Sequence, residues 1–203
     1  MTKAEKIMNS KPFMKMIMDK YLSIGQSDKI WKQSVVKLDE MLLKYRDLPE
    51  KVHAHTDNYI FPSAAVYLTA KEIIGTKKAY RIIEKSSAYK SGKAGKALAK
   101  IMRLPFMPDL FVAIWDPMTK KKFGPDNGFK NVFYPNKNGE FRMDITSCPY
   151  MRYFTELGCP ELTKIFCRND ELVYGDLPGL EFIRKGTIGR GYDKCDFYIR
   201  RRR

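Results

Sequence analysis

The residues of this chain best suited to covalent or metal chemistry are its four cysteines, which all lie between positions 148 and 195. The alternating apolar residues of segment 141–145 predict a strand, and Pro149 predicts the start of a helix directly after it. Cys148 then lies at or next to the N-cap of that helix. Unpaired N–H groups and the positive end of the helix dipole favour a thiolate there, and the thiolate is the reactive form of cysteine. This position makes Cys148 the first candidate nucleophile.

A series of short motifs surrounds these cysteines in the C-terminal third of the chain. It consists of Cys148-Pro149-Tyr150, Glu156-Leu157-Gly158, Glu161-Leu162, Cys167, Asp170, Thr187-Ile188-Gly189, Gly191 and Cys195-Asp196-Phe197. In this order the series resembles the L-2-amino-thiazoline-4-carboxylic acid hydrolase family, which the rest of the chain resembles only in helical layout and spacing. The resemblance implies a cytoplasmic hydrolase that opens a small cyclic amidine, a thiazoline, to a carbamoyl-cysteine.

The resemblance places Cys148, Cys167 and Cys195 at motif positions, whereas Cys159 is assigned to packing. Two chemical roles are open to these thiols. Either Cys148 and Cys195 take part in catalysis, or all three motif cysteines hold a zinc ion that activates water. The sequence has none of the closely spaced cysteine pairs typical of a structural zinc site, so zinc binding requires the fold to bring the three together. A buried position in the core or in a pocket wall is the alternative to both roles.

The chemistry that the resemblance implies needs further groups. Opening a cyclic amidine requires attack on the carbon between nitrogen and sulfur, and delivery of a proton to the leaving atom. Asp170 and Asp196 are the candidate acid and base, because each lies near a motif cysteine in the sequence.

Arginines and polar residues near the same motifs are candidates for substrate binding. Arg184 or Arg190 would hold a substrate carboxylate, and Arg190 lies in the glycine-rich segment 187–193, whose backbone N–H groups can approach an anion. Thr187 and Tyr150 occupy motif positions and complete the predicted substrate site.

The histidines of the chain are confined to the segment His53-Ala54-His55-Thr56-Asp57. A Cys–His pair could therefore form only with His53 or His55, far from the cysteines in sequence. In an extended chain both histidines and Asp57 would face one side and could contribute zinc ligands. An exposed polar loop between helices is the alternative, and a third hypothesis has one histidine lining the pocket.

The net positive charge of the chain indicates which classes of partner it can bind. A net charge of +15 and a pI near 9.6 attract a small anionic substrate, nucleic acid or an anionic membrane surface. We expect the small anionic substrate and no specific nucleic acid, because no nucleic-acid-binding module is recognisable. Segment 90–103, which has no acidic residue, is either a basic amphipathic element with weak membrane-surface contact or a solvated connection between the two halves of the chain.

The cellular compartment is predicted from the absence of membrane-spanning and signal-peptide patterns in the sequence. No apolar run approaches the roughly 18 residues of a membrane-spanning helix, and the start lacks the apolar region of a signal peptide. We therefore expect a cytoplasmic protein with reduced thiols and leave a homodimer open. A non-catalytic sensor or carrier domain that binds a small molecule or metal is the alternative to a hydrolase.

The element order predicts an α+β fold, in which an N-terminal helical half packs on a C-terminal antiparallel sheet with interspersed helices. Residues 1–104 form the helical region and residues 105–203 the α+β region that carries the cysteine motifs, as one continuous domain. Strands are expected at 110–115, 129–134, 141–147, 180–184 and 194–200, with a hairpin turn at 136–139.

Overall fold

The computed structural model describes residues 1–135 and 139–202. Its helices are α1 (Lys3–Asn9), α2 (Pro12–Tyr21), α3 (Ile24–Lys44), α4 (Glu50–His55), α5 (Phe61–Ile74), α6 (Thr76–Ile101), α7 (Met107–Phe123), α8 (Pro149–Glu156) and α9 (Leu162–Tyr174). Its strands are β1 (Lys130–Phe133), β2 (Glu140–Ser147), β3 (Leu180–Ile183) and β4 (Cys195–Arg201). A π-helical turn, Thr56–Ile60, joins α4 to α5. The strands are confined to the second half, so the predicted α+β fold is confirmed.

The strands of the described chain form one antiparallel sheet in the order β1-β2-β4-β3. Side chains alternate between the two faces of a strand. On β4, Cys195, Phe197 and Ile199 are therefore buried, whereas Asp196 lies on the opposite face. The register pairs Cys195 with Ile145 of β2, whose side chain is also buried. The inner face of the sheet thus presents Cys195 to the helices and turns Asp196 away from them.

Helix α6 is the centre of the helical half and packs against α2, α5 and α9. Helix α5 is buried along most of its length, begins with Pro62 in its first turn and ends before Gly75, as the sequence predicts. Gly75 has φ +80°, a conformation that glycine adopts without strain. One apolar cluster fills the helical half and a second lies between α7 and the sheet, and Tyr150 contacts both. The two halves therefore meet around α8.

The strand predicted at Leu110–Trp115 is wrong, because this segment lies inside α7. Phe111 is buried against the second apolar cluster and Ile114 is exposed, as on one helix with a single buried face. Pro108 lies in the first turn, where no N–H is needed, and Pro117 lies inside the helix without ending it. A short apolar run between prolines does not distinguish a strand from a buried helix.

Segment 90–103 is not a connection between the halves, since α6 continues through it to Ile101. Gly95 lies where α6 crosses α9, and a Cβ atom at this position would overlap the carbonyl oxygen of Leu172. Gly95 therefore permits close packing of the two helices. Membrane-surface contact by this basic helix stays a prediction.

Three further predictions concern turns, membranes and location. Residues 136–138 of the hairpin turn lie outside the described residues, although the strands on either side pair antiparallel as expected. Within residues 1–135 and 139–202, no helix has both the length and the apolar character needed to cross a bilayer. The cytoplasmic location and the boundary at residue 104 stay predictions.

Candidate active site

A cavity of about 320 Å³ lies between the helical half and the inner face of the sheet. Its wall includes Cys148, Cys167 and Cys195 together with Asp170 and Arg184. Much of the remaining wall is apolar or aromatic. The volume is at the lower end of the roughly 300–1,000 Å³ found for small-molecule sites. The fold therefore brings the three motif cysteines to one cavity with room for a small molecule.

Cys167 and Cys195 form a thiol pair across this cavity wall, one from α9 and the other from the first residue of β4. The neighbouring Cys195 thiol lowers the pKa of Cys167, against the effect of burial, and the Gly189 N–H and the charge of Arg184 lower it further. The same contact between the thiols raises the pKa of Cys195, and burial adds to that rise. The Ile188 N–H donates to Cys195 Sγ over 3.2 Å, which lowers the pKa of Cys195 and offsets part of that rise. The directions of these two pKa shifts favour the proton on Cys195 and the thiolate on Cys167.

The turn that follows β3 fits closely around the Cys167 sulfur. A Cβ atom on Gly189 would lie 2.8 Å from Cys167 Sγ and 3.0 Å from Thr163 Cγ2, so a glycine is required for this approach. Thr187 is fully buried beside the same sulfur. The motif Thr187-Ile188-Gly189 therefore packs against the two thiols, whereas the sequence interpretation assigned Thr187 to substrate binding.

Asp170 lies three residues after Cys167 on α9, so both side chains share one face of the helix. Burial raises the pKa of Asp170 to about 7, and the charge on Cys167 adds to this rise, while Arg184 opposes it. The Asp170 side chain is 32% accessible, and because it lines the cavity we assign this surface to the cavity interior. A carboxyl group with a pKa near neutrality can both donate and accept a proton at physiological pH.

The Arg184 side chain is only 2% exposed, and its guanidinium group binds acidic and carbonyl groups of the protein itself. Its Nη1 donates to Asp170 over 2.8 Å, and its Nη2 donates to the Cys167 carbonyl over 2.6 Å and to Glu171 over 2.9 Å. The cation also lies 5.3 Å from the centre of the Phe197 ring. Arg184 therefore positions Asp170 and the Cys167 segment, a different role from the carboxylate clamp expected from the sequence.

Cys148 is the N-cap residue of α8, as the sequence predicts. Burial nevertheless raises the pKa of its thiol to about 12, and the N–H groups of Tyr150 and Met151 offset only part of this effect. A negative charge on Cys167 or Asp170 raises the Cys148 pKa further. The expectation that the helix N-terminus would make Cys148 a thiolate is therefore wrong, because desolvation outweighs the helix dipole.

Tyr150 lines the cavity and is held from behind by His55. The Tyr150 hydroxyl lies 3.1 Å from His55 Nδ1, and His55 Nε2 lies 2.8 Å from the Lys122 carbonyl oxygen. A carbonyl only accepts, so Nε2 carries the proton and Nδ1 accepts from Tyr150. Burial lowers the pKa of His55, which keeps the ring neutral. The predicted exposed loop is wrong at His55, which lies buried behind the wall of the cavity and not on it.

Comparison with known proteins assigns the chain to a family. A model of the L-2-amino-thiazoline-4-carboxylic acid hydrolase family matches residues 53–199, which include every cysteine of the chain. The chain belongs to this family. No curated protein and no solved structure gives a significant match. The family description supports a hydrolase, in agreement with the resemblance seen in the motifs.

Asp196 and Arg190, which the sequence placed at the active site, do not line the cavity. Asp196 accepts hydrogen bonds from the N–H groups of Lys185 and Gly186, at 3.0 and 2.8 Å, on the outer face of the sheet. It lines a separate surface groove of about 570 Å³. Arg190 forms an ion pair of 2.9 Å with Glu171. The structure therefore gives both residues structural contacts away from the cavity.

The positions of the candidate metal ligands do not support the predicted zinc site. Within the described ranges, no group of three or more histidine, cysteine, aspartate or glutamate side chains is placed to hold a metal ion. His53 instead lies 3.0 Å from Asp57, which also pairs with Lys3 at 2.7 Å. His53 and His55 both lie in helix α4, and residues two positions apart on a helix do not share a face, so the shared extended face expected from the sequence does not exist.

Sequence interpretation missed the residues that line the helical end of the cavity in this family member. Lys11 and Lys90 lie there, with Phe13 and Tyr59. Lys11 is the N-cap residue of α2 and is only 6% exposed. No local pattern marks it, because only the packing of α2 on α6 brings it close to Lys90. The π-helical turn that places Tyr59 is likewise set by tertiary packing.

Proposed function

We propose that the protein hydrolyses a small cyclic amidine in the cavity, with Cys167 as nucleophile and Asp170 as acid and base. Membership of the hydrolase family supports the reaction class. The observation that carries the assignment is the sharing of one small cavity by a thiol pair with its charge on Cys167 and a carboxyl group whose pKa is about 7. Cys148, the first candidate from the sequence, is replaced because its thiol stays protonated at neutral pH.

The first step forms a covalent intermediate. The Cys167 thiolate attacks the amidine carbon, and protonated Asp170 gives its proton to the ring atom that leaves. The bond between the amidine carbon and that atom breaks, and the ring opens with the carbon attached to Cys167. Arg184 donates to Asp170 at 2.8 Å and keeps the carboxyl on the same side of the cavity as the thiolate.

The second step releases the product. Water adds to the carbon attached to Cys167 and loses a proton to the Asp170 carboxylate, which now acts as a base. The bond to the Cys167 sulfur breaks and leaves a carbamoyl group on the product. The Cys195 thiol stabilises the thiolate that leaves, as it does in the resting state. Over both steps one water molecule is consumed and the side chains return to their starting state.

Turnover of L-2-amino-thiazoline-4-carboxylate tests this proposal, measured by mass spectrometry as a product heavier by one water molecule. Cys167→Ala is expected to abolish turnover, and Asp170→Asn to lower kcat by about 100- to 10,000-fold, the usual contribution of an acid or base. Cys159→Ala is the matched control, because Cys159 is fully buried in the helical core away from the cavity wall. Thermal unfolding of each variant reports whether the fold is retained.

The outcomes separate the alternatives. Turnover by Cys167→Ala at the rate of the Cys159→Ala control would refute the assignment of the nucleophile. A wild-type protein that binds the compound without converting it would support the non-catalytic sensor or carrier function, which the largely apolar wall of the cavity also suits. A covalent adduct that maps to Cys167 in Asp170→Asn would support the intermediate directly.

A further inference from the structure

The helical end of the cavity carries two lysines that no role described so far uses. Lys11 is buried at the start of α2, and Lys90 lies at the rim on α6. Within residues 1–135 and 139–202, the Lys11 Nζ donates one side-chain hydrogen bond, to the Ser10 hydroxyl at 3.4 Å. In the described parts of the chain, neither lysine forms an ion pair with a carboxylate. Two cations therefore meet at a cavity wall without a protein anion between them.

The electrostatics of this end favour an anionic ligand. Burial lowers the pKa of Lys11 to about 8, and the charge of Lys90 lowers it further. Burial also lowers the pKa of Lys90. A cation out of water and next to a like charge is unfavourable until an anion compensates it. A bound carboxylate would satisfy both ammonium groups.

Aromatic side chains hold Lys90 at the mouth of the cavity. Its Nζ lies 5.0 Å from the centre of the Tyr59 ring and 5.4 Å from that of Phe13. Both rings also line the cavity. Cation–π contacts of this kind favour a fixed position for an ammonium group that would otherwise be mobile. Lys90 is therefore presented to the cavity and not only to bulk water.

The lysines and the two cysteines of the thiol pair line the same cavity of about 320 Å³. Tyr59, which contacts Lys90, lies close enough to Tyr150 for a charge on one to raise the pKa of the other. Tyr150 is coupled in the same way to Cys148 and Asp170. Tyr59, Tyr150 and Asp170 all line this cavity as well.

We propose that Lys11 and Lys90 form a subsite for the carboxylate of the ligand, which places the rest of that molecule against Cys167 and Asp170. The proposal rests on the proposed function for its choice of a small amidine with a carboxylate. Among the basic residues named from the sequence, Arg184 and Arg190 are already paired with acids of α9. Lys11 and Lys90 have no such partners in the described chain and are free to bind the ligand.

Calorimetric titration of two related rings tests the subsite. The probes are L-2-amino-thiazoline-4-carboxylate and the same ring without its carboxylate, titrated into a Cys167→Ala background so that neither is consumed. Lys11→Met and Lys90→Gln are each expected to weaken binding of the carboxylate compound by about 10- to 100-fold, the loss of a charge-assisted contact. Binding of the ring without a carboxylate is expected to change less than about threefold, and Lys90→Arg is expected to retain most of the affinity.

Lys85→Gln is the matched control. Lys85 lies on an exposed part of the same helix, and its substitution removes the same charge as Lys90→Gln. Affinity for the carboxylate compound that is unchanged in Lys11→Met and Lys90→Gln, or lost equally for both rings, would overturn the subsite. Failure of the cavity with intact lysines to bind the carboxylate compound would overturn it as well. If Lys11→Met fails to fold, Lys90→Gln against Lys90→Arg still decides the matter.

The same data separate this inference from the proposed function. Discrimination between the two rings that depends on both lysines, in a wild-type protein without turnover, would support the subsite and refute hydrolysis. Turnover that requires Cys167 and Asp170 while the lysine variants keep full affinity would support hydrolysis and refute the subsite.

Discussion

Replacement of Asp170 with asparagine is expected to stabilise the fold at neutral pH while it removes turnover. Burial raises the pKa of this carboxyl from 3.8 to about 7 in the folded protein. Between these two values the folded state binds more protons than the unfolded state, so stability falls as the pH rises through this range. The neutral asparagine side chain has the shape of the protonated acid and cannot ionise. Its stability is therefore expected to lack this fall with pH.

The size of the effect follows from the pKa change. A shift from 3.8 to about 7 corresponds to about 4 kcal/mol of preference for the protonated form. Water in the cavity screens the charge, because the Asp170 side chain is 32% accessible. We therefore expect Asp170→Asn and the wild type to have similar stability at pH 4, and the variant to be about 2 kcal/mol more stable at pH 8.

Urea unfolding at several pH values between 4 and 8 measures this difference. Asp176→Asn is the matched control, because Asp176 is exposed on the segment after α9 and its replacement is expected to change stability by less than about 0.5 kcal/mol. An Asp170→Asn variant that is less stable than the wild type at pH 8 would show that Arg184 stabilises the carboxylate more than burial destabilises it. The assignment of Asp170 as a group protonated near neutrality would then be refuted.

Three further substitutions or labels test other parts of the site. The stability of the wild type is expected to rise between pH 8 and 10.5 by at most about 3 kcal/mol, as the unfolded state retains a proton that Lys11 has lost, and urea unfolding of Lys11→Met is expected to lack this rise. Iodoacetamide is expected to label Cys167 before Cys148 at pH 7.5, and peptide mapping that finds the reverse order would refute the placement of the thiolate. Gly189→Ala is expected to destabilise the fold by about 1–3 kcal/mol in urea unfolding and to slow labelling of Cys167, because its Cβ would lie 2.8 Å from the sulfur; wild-type values would contradict the close approach.

Local signals predicted a large part of the fold. Pro149 starts α8 and Gly158 follows its end at φ +75°, as the residue types require. The alternation around Met143 predicted an inward face that the structure confirms, with 3% exposure of that side chain. Each of these features depends on the conformational preference of one or a few neighbouring residues. A sequence therefore carries them without knowledge of what packs against them.

Local sequence patterns could not predict the features that depend on tertiary packing. The apolar run at Leu110–Trp115 is compatible with a strand or a helix, and only its place between two prolines suggested a strand. His55 is buried because α7 and the start of α8 cover it, which its own neighbours in sequence do not indicate. Lys11 lies 79 positions before Lys90 in the sequence and reaches the cavity through the packing of α2 on α6.

The charge on the thiols shows why the spacing of the cysteines could not identify the nucleophile. A helix N-terminus favours a thiolate at Cys148, but it acts on a sulfur that burial has removed from water, and the burial effect is larger. Cys167 lies inside a helix, where no dipole favours a thiolate, and its pKa is lowered by the Cys195 thiol and the Gly189 N–H, which follow it by about 20 to 30 residues. The groups that decide a cysteine's ionisation come from several elements, so only the folded chain can rank one cysteine against another.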